Sequence, residues 1–357
     1  MPGKTTTFSF FKLYEKFIRD SKNGRRLQPN GKRISVGTVD NYHYTLLLLQ
    51  KFCAAKSFEL RIRCIKRLSV RELLAERNYW KKFYQHFTAW LYDDCGYFDN
   101  YVGASLKNIR SFFNYLNKEL SMGVGDFHKL FYVRKEEIAI FPLLPEELNY
   151  LIHDKNLENG LSPKMKEVKD FFVFGCTVAL RFSDLASLTK SNIRVVNDQH
   201  YLSVRSKKTQ ADTLVKLPPY AVAIIGRYTK NKKRLLPRFN VVNLNKYIKR
   251  LLEQAGFVHP VNVTRNKRGM AVEQKAGEER KTLRFCDVAT THTMRRTAIT
   301  TMLSLGMPEQ VVRKISGHSA SGKEFYRYVS WAQTYQDEET EKMFAKLGEK
   351  RLTIVRE

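Results

Sequence analysis

Four stretches in the first third of the chain repeat aromatic and aliphatic residues at a helical period, which restricts that region to packed helices. Phe8, Phe11, Leu13, Tyr14 and Phe17 form the first, ahead of a turn-rich RRLQPNGKR segment. Thr38 is placed to cap the second, which carries Tyr42, Tyr44, Leu46, Leu49 and Phe52. The third is NYWKKFYQHFTAWLYDD (78–94), and the fourth is ASLKNIRSFFNYLNKEL (104–120), with Leu106, Ile109, Phe112, Phe113 and Leu116 on one stripe. Stripes this regular read as core rather than as platforms for stacking bases.

The opposite faces of these helices are basic, and the whole chain follows suit. Its 357 residues contain 63 Lys and Arg against 35 Asp and Glu, a formal charge of +28. Such an excess concentrates polyanions at the surface and points to nucleic acid. The basic residues are spread along the chain rather than packed beside one apolar segment, which disfavours a membrane-surface protein. No apolar run is long enough to span a bilayer, and the N-terminal sequence MPGKTTTFSFFKLYEKF lacks a secretory signal pattern. The five cysteines are scattered without a CxxC pair, which implies free thiols, a reducing compartment and no zinc site. The expectation is a cytoplasmic protein, wherever its nucleic acid is found, with no membrane partner.

A chain of this length suggests two domains. The expected division is a helical domain over residues 1–122, a linker over 123–141 opened by Gly123 and Gly125, and a second domain over 142–357. Pro145 suits the first turn of the second domain's first helix. Beyond it, YLSVRS and TLVKLPP flank KKTQAD as a hairpin, and the GFVHPVNVTRNKRGMAVEQKAGEERKTLRF stretch reads as an insertion with short strands. From His292 onward the pattern is again helical. The fold class is therefore mainly α, a helical domain followed by a mixed α+β domain with a small antiparallel sheet.

Five segments of the second domain place cationic or proton-handling side chains at structural junctions. Arg181 sits where an apolar helix ends and SDLASLT starts another, with Ser183 or Asp184 as its cap. Lys207 and Lys208 occupy the hairpin turn. His292 and Arg295 lie three apart and share a helix face, with Met294, Ala298 and Met302 on the buried stripe. Pro308 can start a helix that Gly317 ends, delivering His318 just beyond it. Tyr326 and Tyr328 flank Arg327 in KEFYRYVSWA. Taken singly, each has an ordinary reading: a salt bridge, an exposed turn, surface charge, a satisfied cap or packing.

Their order is more specific. Arginine, lysine on a hairpin, His-x-x-Arg on a helix, Gly-His and then tyrosine resembles the catalytic signature of the tyrosine recombinases, the phage integrase family. The resemblance covers roughly residues 140–335 by motif, through LRFSDLASL, HTMRRTAIT and ISGHSA. It covers the first domain only in general character, as a SAM-like core-binding domain. The insertion and the KEFYRYV ending look most like integrases of mobile elements from Bacteroidetes-type bacteria.

The resemblance implies site-specific cleavage and rejoining of double-stranded DNA through a 3′-phosphotyrosyl intermediate, with no cofactor and no metal. Arg181 and Arg295 would grip the scissile phosphate, Lys208 would protonate the leaving 5′ oxygen, and His292 would serve as general base or orient the phosphate. His318 would donate to a phosphate oxygen, and Tyr328 would be the nucleophile. The family's usual spacing from the Gly-His histidine falls on Arg327, so Tyr326 and Tyr328 each lie one residue away. Tyr328 is the better match, because Phe325, Tyr328 and Val329 fit the family's Phe-x-x-Tyr-apolar run. The family also implies a homotetramer on paired DNA sites and accessory DNA-bending proteins, while TYQDEETEKMFAKLGEK itself reads as a C-terminal helix with Met343, Phe344 and Leu347 on one side. That helix either packs on its own domain or docks on a neighbour. A type IB topoisomerase and a non-catalytic DNA-binding regulator remain alternatives. A metal-dependent nuclease is disfavoured by the lack of clustered carboxylates.

Overall fold

The computed structural model describes residues 7–205, 212–229, 233–277, 281–319 and 322–349. The chain divides into two compact units, Met1–Ile138 with Thr264–Gln274, and Ala139–Val263 with Lys275–Glu357.

The first unit is built from strand β1 (Thr7–Ser9), helices α1 (Phe10–Lys22) and α2 (Val36–Lys56), strand β2 (Arg61–Arg63), and helices α3 (Val70–Ala89) and α4 (Asp99–Lys118). The aromatic stripes meet inside it. Phe10, Tyr14, Phe17, Trp80, Phe83, Phe112 and Phe113 are all buried, and Trp80 meets Phe113 edge-on at 4.8 Å between centroids. Several polar groups taken into this core are paired, although the buried Tyr14 hydroxyl has no hydrogen-bond partner among the described residues. Trp80 Nε1 donates to Glu76 at 3.0 Å, Arg61 pairs with the same carboxylate at 2.7 Å, and the Tyr115 hydroxyl donates to Asp20 at 2.6 Å. Helix α2 starts earlier than its apolar stripe suggests. Its cap is Ser35, whose Oγ accepts from the Thr38 amide, while the Thr38 hydroxyl bonds back to Ser35 at 2.8 Å. The third stretch likewise begins upstream, at a capping box of Ser69 and Glu72, and its last turn widens to a π turn over Trp90–Asp94.

The second unit runs from α5 (Pro145–His153) and α6 (Lys155–Gly160) to the apolar helix α7 (Pro163–Val178) and the short α8 (Phe182–Leu185). Strands β3 (Ile193–Val196), β4 (Gln199–Arg205) and β5 (Asp212–Lys216) form an antiparallel sheet in the order β3-β4-β5. Leu202 stands opposite Val215, and both are buried along with Val204, so one face covers the core. Helices α9 (Pro219–Gly226) and α10 (Val241–Gln254) follow, then β6 (Pro260–Val261), β7 (Val263–Lys267), β8 (Met270–Ala276) and β9 (Lys281–Arg284). The chain closes with α11 (Phe285–Val288), α12 (Thr291–Ser304), α13 (Glu309–Ser316) and α14 (Tyr326–Glu349).

Residues 264–274, the tip of the β7–β8 hairpin, fold with the first unit. Arg268 and Gly269 both have positive φ (58° and 83°), the requirement of a tight two-residue hairpin turn. Their backbone amides donate to the two oxygens of buried Asp99, at 2.9 and 2.8 Å, and the Tyr92 hydroxyl adds a third bond at 2.7 Å. Arg265 makes a fork of 3.0 and 2.7 Å to Glu136, whose second oxygen accepts from the Asn266 amide.

Helices α7 and α12 make the central contact of the second unit, and Gly175 makes it possible. A Cβ there would lie 2.6 Å from Met294 Sδ and 3.1 Å from a Leu185 methyl, both in the packed core. Gly175→Val is therefore expected to lower stability by about 1–3 kcal/mol through overpacking. Urea unfolding checks this: the midpoint should fall with the slope unchanged, and an unaltered midpoint would refute the close-contact account.

Candidate active site

The site grows from the end of α7. After Val178 the chain turns at Ala179, whose φ of +55° is left-handed, and the turn aims the Ala179 carbonyl at α12. Two residues on, Arg181 occupies the N-cap position of α8, with the buried Asp184 inside that helix's first turn. The expected cap by Ser183 or Asp184 is thus displaced, since the helix begins at Phe182.

Helix α12 is capped by Thr290, whose Oγ1 accepts from the His292 amide at 3.2 Å. Its next turn carries Arg295, only 3% exposed. Arg295 Nη1 donates to the Ala179 carbonyl at 2.8 Å, and Nη2 faces His318 Nε2 at 3.2 Å. Helix α13 ends at Gly317 with φ +64°, the left-handed cap that turns His318 back toward α12. Ser316 Oγ donates to the Val312 carbonyl at 2.7 Å and so accepts from His318 Nδ1–H at 2.7 Å. That assignment leaves Nε2 as the acceptor for Arg295, and it fixes one neutral tautomer.

Electrostatics agree. Burial, followed by the charges of Arg295, Arg181, Arg313 and His292, pushes His318 down to about 3. His292 keeps an open edge, yet burial of the rest of the ring and the charges of Arg296, Arg295, Arg181 and Arg327 push it down to about 4. Arg295 itself is pushed down to about 10 by desolvation and by Arg181, against the opposing effects of Tyr328 and Asp184. The centre is a cationic pocket with two neutral imidazoles.

Tyr328 completes it. The residue is 8% exposed, its ring lies 5.9 Å from that of His318 and 5.8 Å from that of Phe325, and it belongs to the small core of Ala179, Ala298, Ile299 and Val312. Tyr326 is 59% exposed and lies over the guanidinium of Arg313 at 5.4 Å. The structure thus brings together Arg181, His292, Arg295, His318 and Tyr328. Lys207 and Lys208 lie outside the described residues. Among the described residues, no three His, Cys, Asp or Glu side chains converge as metal ligands.

Two residues of this region carry no motif. Buried Arg313 donates to Glu309 at 2.6 Å, to the Ser319 carbonyl at 2.9 Å and to the Gly322 carbonyl at 3.2 Å, and its guanidinium lies 4.2 Å from the Phe325 ring centre. It ties the segment after His318 to the start of α14. The one signal for it in the sequence is the four-residue spacing from Glu309. Arg296 is the other, hidden behind its neighbour Arg295.

Small antiparallel sheets beside a helical core, with arginine, histidine and tyrosine side chains clustered in the second unit, are the features that a relative must share. The model of the phage integrase family matches residues 143–333, more than half of the chain, which belongs to that family and is a tyrosine-type site-specific recombinase. By sequence alone, no curated protein matches it. Among solved structures, it is similar to the XerH site-specific recombinase bound to palindromic difH substrate (13% identity, 92% of this chain and 84% of that one, TM-score 0.57). It is also similar to a lambda integrase dimer bound to a COC′ core site (10% identity, 93% and 95% covered, TM-score 0.56). The Tn1549 transposon integrase with circular intermediate DNA gives 16% identity, 89% and 94% coverage, and a TM-score of 0.50.

The depressed His318 predicts a pH effect with a definite sign. Because the folded ring titrates near 3 and the ordinary value is 6.5, the unfolded chain binds more protons between those limits. Stability is therefore lost as pH falls from about 6.5 toward about 3, and His318→Gln should flatten that part of the profile. Denaturant melts of both proteins across this range check it; parallel profiles would contradict it.

Proposed function

We propose that the pocket cleaves and rejoins double-stranded DNA at a specific site, with Tyr328 as nucleophile. The observation that carries this reading is the placement of Tyr328 against His318, which is itself bonded to Arg295, while Tyr326 faces out. Arg181 and Arg295 hold the non-bridging oxygens of the scissile phosphate, because guanidinium forks match phosphate and stay charged. They counter the extra negative charge of the pentacoordinate transition state.

In cleavage, the Tyr328 oxygen forms a bond to phosphorus as the bond to the 5′ oxygen breaks. The phenolic proton passes to His292, whose depressed pKa keeps it neutral and able to accept. The 5′ oxygen takes a proton from Lys208, the role that the family pattern assigns to that lysine. The product is a 3′-phosphotyrosine and a free 5′ hydroxyl, so the bond energy is kept in the covalent adduct and rejoining requires no nucleotide. The one N–H of His318 is spent on Ser316. A phosphate seated on Arg295 offsets the surrounding cations, raises the affinity of Nε2 for a proton, and turns His318 into a donor to that phosphate.

Lambda integrase, 12% identical, is described as a tetramer bound to a Holliday junction. A homotetramer on paired sites is the assembly proposed for this chain as well. The exposed Met343 and Phe344 on α14 are compatible with a contact between neighbours.

Incubation with a nicked suicide duplex carrying the recombination site, followed by peptide mass mapping, tests the chemistry. The adduct is expected on Tyr328, to be absent in Tyr328→Phe, and to persist in Tyr326→Phe. Arg295→Lys should slow its formation roughly 10²–10³-fold, the usual cost of losing a transition-state donor. Adduct on Tyr326 would move the nucleophile, and no tyrosyl adduct at all would remove the mechanism.

A further inference from the structure

Helix α12 carries another guanidinium for which the proposed reaction above has no role. Arg296 follows Arg295 and lies four residues after His292, so it stands one turn beyond that ring on the same side of the helix. The residue is half-buried, and its Nε is fully buried. Among the described residues, neither an ion pair nor a side-chain hydrogen bond satisfies that Nε. A buried N–H donor with no partner is costly, and native interiors rarely keep one without an acceptor to receive it.

Its surroundings say which ligand. The hydroxyl of Tyr328 is the neighbour that favours the Arg296 cation, and Arg327 is the one that opposes it. Arg295, by contrast, faces Arg181, Tyr328 and Asp184. Tyr328 is thus a group whose negative charge would favour both arginines, and it stands on α14, which packs against α12 in the core shared with Ala298 and Ile299. Arg296 is also the charge that weighs most on His292, the proposed acceptor of the tyrosyl proton.

We propose that Arg296 is a further catalytic residue, one that donates from its unsatisfied guanidinium to the phenolic oxygen of Tyr328 as that oxygen takes on negative charge. The inference rests on Tyr328 being the nucleophile. In cleavage, Arg296 stabilises the phenolate as its proton goes to His292 and the oxygen–phosphorus bond forms. In rejoining, the 5′ hydroxyl attacks, the tyrosyl–phosphorus bond breaks, and Arg296 receives the departing phenolate before the proton returns from His292. Arg296 keeps all its protons throughout. A cation held against the tyrosyl oxygen also discourages Arg296 from serving as a third grip on the phosphate, a distinction that can be measured.

The test compares Arg296→Met and Arg296→Lys with the wild type, using full-length protein in single-turnover cleavage of a nicked suicide duplex. Arg296→Met should slow adduct formation about 100-fold with duplex affinity within about threefold, and Arg296→Lys should recover at least about tenfold of that loss. Its rate should also rise more steeply with pH than that of the wild type. A duplex whose scissile phosphate carries a methyl in place of one non-bridging oxygen separates the two kinds of grip. Removing that charge should not restore Arg296→Met, whereas it should help Arg295→Met. Restoration of Arg296→Met by the neutral phosphate would overturn the proposal, as would a rate within about threefold of wild type. Arg296→Gln replaces Arg296→Met if thermal melting shows the latter unfolded. Peptide mapping of the wild-type adduct keeps the layers apart: an adduct on Tyr328 with a normal Arg296→Met rate sinks only the role of Arg296, and an adduct on Tyr326 sinks the nucleophile with it.

Discussion

A guanidinium almost wholly out of water organises the second unit. Arg295 is held by a backbone carbonyl and by a neutral imidazole, acceptors that orient the group without cancelling its charge. Arg181 adds a second cation whose field opposes it. Desolvated positive charge of this kind is unfavourable unless an anion completes it. Asp184 offsets the charge in part, and under the proposed reaction the remaining field favours a phosphate, most strongly at its most negative point. The same field explains the histidines. Each is pushed well below its ordinary value, so both rings are neutral near pH 7, as the proposed reaction requires of a base at His292 and of an acceptor at His318.

Holding such a pocket together takes rigid supports, and three can be identified. The close contact at Gly175 presses α12 onto α7, so the turn at Ala179 and the row of His292 and Arg295 share one frame. The left-handed cap at Gly317 returns the chain to that frame with His318 at its tip. Arg313 then ties the carbonyls of Ser319 and Gly322 and packs against Phe325, which sets where α14 begins. Each of these supports decides where one of the clustered arginine, histidine or tyrosine side chains stands.

How far all this could be read from the sequence follows from which interactions are local. Helical stripes, the β4–β5 hairpin and the Gly317 cap are legible because spacing within a short window determines them. Helix starts were less so: Ser35 and Ser69 precede the first apolar residue of their helices, and the cap rather than the stripe sets the start. The order of Arg181, His292, Arg295, His318 and tyrosine is legible as a set, and the fold brings those side chains near one another. The partners of those residues were not legible. The Ala179 carbonyl offers no side chain to notice, Ser316 is one serine among many, and Arg313 and Arg296 are single arginines in a chain that has dozens. Nothing local announces that the tip of an insertion will give its turn amides to Asp99, a residue 170 positions earlier than Gly269. Long-range pairing of that kind is visible only in the fold.

The choice between two tyrosines shows how a local rule and a tertiary one combine. Tyr326, Arg327 and Tyr328 are consecutive on α14, and successive helical residues point about 100° apart. Two residues two apart therefore face nearly opposite ways, and no rotation of the helix can offer both to one pocket. A family spacing that falls on Arg327 leaves the side undecided. The decision passes to whatever fixes the helix about its axis. Arg313 takes Phe325 and Tyr326 on its own side, and Val329 and Ala332 continue the apolar face on which Tyr328 lies. With that rotation set, Arg327 projects between the two tyrosines, near enough to His292 and Arg296 for its charge to bear on both. The inward tyrosine and its nearness to His292 and Arg296 then follow from one packing constraint, and a change that rotated α14 would disturb them together.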